Sequence, residues 1–190
     1  MINKVDASRL VAWLTEQCRA VDGRYGGAAA SQAKAVLARL RRGTGKRPGA
    51  ASDAYRYVVP FIPDESADDE DGVEALFLVA TLFACHRLPG PRGNLGATFR
   101  ALDDPSGSNE RRFVALLNSG WPQVQHHVRQ VVRMAAAKEV VIDFELLAAD
   151  MLDWQHASTR EKVRLDWAQA FWGGRAAALS TNAPAGEQEN

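Results

Sequence analysis

Cysteine is scarce in this chain of 190 residues, which contains only Cys18 and Cys85. Two cysteines are too few for the disulfide framework of a small secreted protein. The N-terminal residues MINKVDASRL also lack the apolar core of a secretion signal. The longest apolar run, residues 75–85, is interrupted by Thr81 and is too short to span a bilayer. We therefore expect a cytoplasmic protein without a membrane role.

The chain also lacks a net charge, since 23 Lys and Arg residues balance 23 Asp and Glu residues. Neutrality hides a strong asymmetry along the sequence. Residues 1–50 contain ten basic and three acidic side chains, whereas residues 51–110 contain four basic and eleven acidic ones. A diffuse nucleic-acid binder would be basic overall. If this chain binds a polyanion, it must therefore do so through a local surface.

Alternating apolar and polar runs, which are typical of β-strands, are also missing. Apolar residues recur at helical spacing, which predicts an all-α fold of about nine helices forming one compact bundle or two small helical lobes. The lobes would comprise residues 1–105 and 106–175, and residues 176–190 are expected to be a disordered tail. The predicted helices cover residues 6–21, 29–42, 51–59, 70–86, 95–102, 109–118, 122–137, 144–154 and 159–172.

The sequence contains no set of residues that assembles into a catalytic or metal site. GTGK looks like part of a phosphate-binding loop, but Leu40 stands where the motif needs its first glycine. A calcium loop aligned on Gly72 of the acidic run DESADDEDG would end at Leu78, where a carboxylate is needed. We therefore predict a protein that is not an enzyme and has no cofactor or metal. A hydrolase that uses His126, His127 or the acidic run is the alternative ranked last.

Several aromatic side chains are candidates for stacking on nucleic-acid bases. Trp167 and Phe171 share an apolar stripe with Val163, however, and this spacing favours packing in the core. The candidates are Trp13, Trp154, Trp167, Phe171 and Trp172.

The first basic cluster lies at the end of predicted helix 29–42, in the string LARLRRGTGKR. Arg39, Arg41 and Arg42 lie on the side of the helix opposite the apolar residues. Lys46 and Arg47 extend the charge into the following loop. Because cations are favourable near a helix C-terminus, a solvated helix face would explain this cluster equally well.

Two further helices repeat the arrangement. Arg111 and Arg112 lie opposite an apolar stripe in the first turns of helix 109–118, where the macrodipole disfavours cations. Arg129 and Arg133 extend a polar stripe on helix 122–137 that has no acidic partner at helical spacing. Three helices with unneutralised arginines favour contact with a phosphate backbone over a merely solvated surface.

Arginine suits phosphate because its planar fork donates two parallel hydrogen bonds. No motif for reading base sequence is evident, so we expect recognition of charge and backbone without sequence specificity. The alternative is a free-standing helical interaction module whose arginines bind an acidic protein.

Six segments in a fixed order resemble one family. They are LARLRRGTGKRP, VATLFACHR, NLGATFRALDD, NERRFVALL, IDFELLAADMLDW and VRLDWAQAFW, within residues 30–172. Together they resemble the CasB family, the small subunit of the type I-E CRISPR surveillance complex (Cascade) of prokaryotes.

The resemblance implies an all-α, non-catalytic subunit that acts in antiviral defence. Its partners would be the backbone and large subunits of Cascade, a second copy of itself and the guide RNA–DNA R-loop, mainly single-stranded DNA. In that family a basic surface is held to guide the displaced non-target strand. Matching residue types transfer this role to Arg39, Arg41, Arg42, Arg111 and Arg112. The resemblance extends it to Arg129 and Arg133, whose helix matches mainly in its apolar pattern, and to Lys46 and Arg47, which lie in a loop.

Overall fold

The structure, a computed structural model, describes residues 1–24, 27–47, 50–86, 88–102 and 105–181, with the backbone alone at 24 and 174–181. Within these ranges the chain forms α-helices, short π- and 3₁₀-helical segments and one isolated β-bridge, so the all-α prediction is confirmed. The helices are α1 (Lys4–Arg19), α2 (Ala28–Arg42), α3 (Ser52–Val58), α4 (Glu70–Cys85), α5 (Leu95–Ala101), α6 (Ser108–Leu117), α7 (Trp121–Ala137), α8 (Phe144–Trp154) and α9 (Ala157–Thr181).

Helix α4 forms the centre of the bundle. Every residue from Ala75 to Ala84 is buried, because the helix is apolar on all sides. It packs against α1, α2, α3, α7 and α8. One hydrophobic core joins these helices, and the two segments proposed as lobes, 1–105 and 106–175, both contribute to it.

Aromatic packing attaches α9 to the rest of the bundle. Trp154 of α8 and Trp167 of α9 are fully buried and stack with ring centroids 4.9 Å apart. The ring of Phe171 packs on that of Phe113 in α6, with centroids 4.4 Å apart. The prediction that Trp167 and Phe171 belong to the core is therefore correct.

The ends of the helices are aligned by a few long-range hydrogen bonds. Gln125, near the start of α7, donates to the carboxylate of Glu74 near the start of α4, at 2.8 Å. Beyond the other ends of both helices, Nε2 of His86 donates to the carbonyl of Val140 at 2.7 Å. Helices α4 and α7 therefore run in the same direction and end together.

The C-terminal part of the chain differs from expectation. Helix α9 extends to Thr181, so residues 176–181 of the predicted disordered tail are helical. Alanine and leucine in this stretch are strong helix formers, which allows the helix to continue. Residues 182–190 lie outside the described residues.

No helix in the described ranges has both the length and the apolar character needed to cross a bilayer.

Candidate nucleic-acid interface

Arg41 attaches the end of α2 to the end of α4. Its Nε donates to the backbone carbonyl of Ala84 at 3.1 Å, while the side chain is on the surface. No carboxylate in the described part of the chain pairs with it. The hydrogen bond thus orients the guanidinium group and leaves its charge unneutralised.

Arg42 makes a weak ion pair. Its Nη2 lies 3.4 Å from a carboxylate oxygen of Asp53 at the start of α3, and both side chains are 63% exposed. Surface pairs of this kind contribute roughly 0–1 kcal/mol, because water screens them. A phosphate group can therefore compete with Asp53 for this arginine.

Arg39 is held more firmly than the sequence suggested. The side chain is half-buried, and its Nη1 donates to the hydroxyl of Tyr57 at 2.6 Å. The hydrogen bond to Tyr57 raises the pKa of Arg39, with a smaller contribution from Asp53. Arg39 thus joins α2 to α3 at the edge of the cluster.

Lys46 and Arg47 are exposed in the turn that follows α2. The turn begins at Gly43, where a Cβ would lie 3.1 Å from the side chain of Thr81 on α4. Hydrogen bonds from the Thr44 hydroxyl group and the Lys46 amide tie the turn to α4 and to Gly43. The start of this loop is therefore fixed relative to Arg41.

The arginines at the start of α6 keep their charge. Arg111 is exposed and has no hydrogen-bond or ion-pair partner among the described residues. Arg112 is exposed as well, and its Nη1 donates to Ser108 at 3.0 Å and to Asn109 at 3.1 Å. Both partners are neutral oxygens, so the positive charge is oriented and remains available.

The two arginines of α7 differ from each other. Arg133 is exposed, but Arg129 is half-buried and donates to Gln125 at 3.1 Å. Burial lowers the pKa of Arg129, and neighbouring Glu74 on α4 opposes this effect. The acidic neighbour comes from a distant part of the sequence, and helical spacing on α7 could not reveal it. Arg129 therefore contributes to the contact between α4 and α7.

A lysine that the sequence analysis did not select lies beside the α6 arginines. Lys138, just after α7, donates from Nζ to the carbonyl of Leu102 at 2.6 Å. Asn109, in the first turn of α6, donates to the same carbonyl at 3.4 Å. The start of α6 and the end of α7 therefore lie together. The contact to Leu102, 36 residues away in sequence, identifies Lys138 as a neighbour of the predicted site.

These contacts bring most of the predicted basic residues to one end of the bundle, whereas the half-buried Arg39 and Arg129 pack between helices. The hydrogen bond from Arg41 to Ala84 joins the end of α2 to the end of α4, and the bond from His86 to Val140 joins the segments that follow α4 and α7. Lys138, at the end of α7, donates to the same Leu102 carbonyl as Asn109 at the start of α6. We call this end, where α2, α4 and α7 stop and α6 begins, the basic end. It contains Arg41, Arg42, Lys46, Arg47, Arg111, Arg112, Arg133 and Lys138.

The acidic segment lies at the opposite end of α4. Asp69 caps the helix by accepting the Gly72 amide at 3.1 Å, and it also accepts the Ile2 amide at 2.7 Å. With a rise of 1.5 Å per residue, about 20 Å of helix separates Glu70 from Ala84. The acidic segment at the start of α4 is thus separated in space from Arg41 at the end of the helix.

No group of histidine, cysteine, aspartate and glutamate side chains suited to holding a metal occurs in the part of the chain that the structure describes. His126 and His127 are adjacent on α7, with ring centroids 5.8 Å apart. His86 is buried, and its ring nitrogens form hydrogen bonds with the backbone of Val140 and Leu88, so a structural role accounts for this histidine.

Comparison with known sequences identifies the family. The family model of CRISPR-associated protein Cse2 matches residues 36–172. A curated Cse2 protein from Thermus thermophilus is 36% identical over 143 residues, which cover 73% of this chain and 79% of the relative. This chain belongs to the Cse2 family. The resemblance to CasB is thereby confirmed.

Solved structures show the same architecture. The Cse2-family protein of Thermus thermophilus is 28% identical, covers 85% of this chain and 97% of its own, and superposes with a TM-score of 0.68. CasB from M. ruber is 25% identical, covers 96% of this chain and 100% of its own, and superposes with a TM-score of 0.67. A chain of a CRISPR RNA-guided surveillance complex shares the fold with a TM-score of 0.69. It is 22% identical and covers 92% of this chain and 98% of its own.

Proposed function

We propose that this Cse2-family chain is the non-catalytic small subunit of a type I-E CRISPR surveillance complex and that its basic end guides the displaced non-target DNA strand. Family membership and the presence of the fold in surveillance-complex structures support the assembly role. The clustering of Arg41, Arg111, Arg112 and Lys138 at one end of the bundle carries the nucleic-acid role.

Weak contacts suffice for this role. Opening a DNA duplex against a guide RNA is a nearly balanced exchange, so modest contacts to the freed strand shift the equilibrium. The exposed guanidinium groups of Arg41, Arg42, Arg111 and Arg112 can each neutralise a phosphate. Each such contact contributes roughly −0.7 to the salt slope for a single strand. Such contacts stabilise the R-loop without reading its sequence.

The separation of charges also suits an assembly subunit. A uniformly basic protein would bind nucleic acid along its whole surface. Here the acidic segment at the start of α4 keeps phosphate away from that end of the molecule. Under this proposal the remaining surface contacts protein neighbours, namely other Cascade subunits and a second copy of the chain.

A quadruple substitution tests the proposal in the assembled complex. The variant changes Arg41, Arg42, Arg111 and Arg112 to alanine. The matched control removes four exposed positive charges elsewhere, at Arg9, Lys34, Arg56 and Lys162. Both variants are first checked for helical content, thermal melting and co-purification with the other subunits and guide RNA.

R-loop formation is then measured across a range of salt concentrations. We expect the quadruple variant to open target DNA less well and to lose up to about 3 from the salt slope, because four contacts at about 0.7 each are removed. The control should keep the wild-type slope. An unchanged slope in a folded, assembled quadruple variant would contradict the nucleic-acid role, and binding of an acidic protein would then explain the basic end.

A further inference from the structure

A groove runs between α1 and the start of α8. It consists of two adjoining cavities of about 430 and 370 Å³, which share Thr15, Arg19 and Glu145 in their walls. The larger cavity has an apolar floor that includes Val11 and Phe144, and residues 89–91 form its far side. None of these residues belongs to the basic end.

The groove carries unneutralised negative charge. Among the described residues of its walls, three are acidic, namely Glu16, Asp143 and Glu145, and one, Arg19, is basic. The guanidinium group of Arg19 pairs with Glu16. Glu145 is exposed and has no ion-pair partner among the described residues. The lining therefore favours an occupant with positive charge, and a phosphate backbone would be repelled.

An indole ring forms one wall of the smaller cavity. Trp13 is half-buried and is held in place by Tyr57 and Phe61, with centroid distances of 6.2 and 5.7 Å. Glu16 and Glu145 line the same cavity. An aromatic surface beside carboxylates is a suitable environment for an arginine or lysine side chain, because cation–π attraction and ion pairing act together.

The dimensions of the groove limit the size of its occupant. The α1 residues in its walls extend from Val11 to Arg19, which corresponds to about 12 Å of helix. An extended chain advances about 3.3 Å per residue. The groove thus accommodates about four residues of extended polypeptide.

We propose that this groove binds an extended segment of another protein subunit, with an arginine or lysine placed between Trp13 and Glu145 and apolar side chains over Val11 and Phe144. Complementary charge and the apolar floor favour such a segment over nucleic acid. The identity of the occupant as a subunit of the surveillance complex rests on the proposed function above.

Site-specific photocrosslinking in the purified complex tests the proposal. A benzophenone amino acid replaces Ala12, an exposed residue in the wall of the smaller cavity. The matched control places it at Ser8, one turn earlier on α1 and also exposed. We expect Ala12 to crosslink to a segment of another subunit with an arginine or lysine within about four residues of the crosslink. Ser8 should not label that segment.

A charge reversal provides the second measurement. Glu145→Lys should weaken retention of the subunit in the complex about tenfold or more, whereas Glu161→Lys, an exposed site near the start of α9, should leave it unchanged. Crosslinks from Ala12 to nucleic acid or to a segment without basic residues, no crosslinks at all, or equal retention of the two variants would each overturn the groove assignment. Failure of the wild-type chain to co-purify with the complex would overturn the proposed function and, with it, this occupant.

Discussion

The indole Nε1 of Trp167 donates a hydrogen bond of 2.6 Å to the carboxylate of Asp150. This contact joins α8 to α9 in a largely buried position. Burial raises the pKa of Asp150 to about 6, and the carboxylates of Asp153 and Asp166 act in the same direction. The hydrogen bond from Trp167 and the charge of Lys4 oppose the shift. The folded protein therefore holds a proton on Asp150 more tightly than the unfolded chain does.

The stability of the protein should fall as pH rises through this range. Below about pH 4 Asp150 is protonated in both states, and above about pH 6 it is ionised in both. Between these two pH values only the folded state keeps the proton. The stabilisation that Asp150 provides, up to about 3 kcal/mol of unfolding free energy, is therefore lost as pH rises. Between about pH 5 and about pH 7 this loss should be roughly 1–1.5 kcal/mol, because the unfolded chain has already released the proton at pH 5, and urea unfolding at the two pH values measures it.

Asp150→Asn isolates the effect of Asp150, because its amide oxygen still accepts the Trp167 hydrogen bond and carries no charge. At neutral pH we expect the variant to be more stable than the wild type, and it should lose this part of the pH dependence. Glu145→Gln, which neutralises an exposed carboxylate, serves as the control. Parallel pH profiles for the wild type and Asp150→Asn would disprove the assignment.

Most of the helical architecture could be predicted from periodicity alone. Apolar residues recur every three or four positions, and this local signal located α1 to α8 and the start of α9 within a few residues. The extent of α9 was underestimated because the polar tail that follows it obscured the helix-forming residues up to Thr181. The alignment of helix ends depends on bonds such as His86 to Val140, between residues distant in sequence, and the sequence alone does not indicate it.

The candidate site was predictable in residue type but not in detail. Unpaired arginines at Arg41 and Arg111 followed from their helix faces. The half-buried position of Arg129 depends on Glu74, and the place of Lys138 depends on Leu102. Local spacing cannot report such neighbours, because they are brought together only by folding.

Gly96 should be intolerant of substitution because α5 and α9 touch there. A Cβ at this position would lie 2.0 Å from the backbone carbonyl oxygen of Trp167. Gly96→Ala must therefore separate two helices, and we expect a loss of about 3 kcal/mol or more of unfolding free energy. Gly173→Ala is the matched control: a Cβ there meets nothing within 4 Å, and the change should stabilise α9 by up to about 1 kcal/mol. Similar chemical-denaturation midpoints for the two variants would contradict this account.

His86 should hold the segment after α4 against the segment after α7. Its Nε2–H donates to Val140, and its Nδ1 accepts the Leu88 amide at 3.2 Å. His86→Phe removes both bonds, which lie in a partly buried position, and we expect it to cost about 1 kcal/mol for each bond lost. Hydrogen exchange should then accelerate at the Gly90 amide, which donates to the carbonyl of Ile142, and at the Ile142 amide, which donates to the carbonyl of Leu88.

The exposed His156 provides the control for this substitution. His156→Phe should leave the exchange rates of Gly90 and Ile142 unchanged. Equal protection of these amides in His86→Phe and wild type would show that the bridge does not depend on the imidazole.

Substitutions of Arg129 and Arg133 should distinguish a role in packing from a role in nucleic-acid binding. Arg129→Ala removes a half-buried side chain from the contact between α4 and α7, so we expect about 1–2 kcal/mol of destabilisation. Arg133→Ala should change stability by less than about 0.5 kcal/mol and should reduce the salt slope of R-loop formation by about 0.7. Thermal melting and strand-opening assays on both variants check the distinction. The reverse pattern would mean that Arg129 is the residue in contact with phosphate.

The ion pair between Arg42 and Asp53 should restrain nucleic-acid binding. Asp53→Asn leaves Arg42 without its carboxylate partner, and it raises the positive potential of the basic end. We expect tighter binding of single-stranded DNA at low salt, a steeper salt dependence, and a change in stability of less than about 0.5 kcal/mol because the pair is exposed. Asp64→Asn, an equal change of charge at the acidic end, should leave the affinity nearly unaltered because screening is strong beyond about 10 Å. Equal gains in affinity from the two substitutions would indicate that net charge, and not the position of Arg42, controls binding.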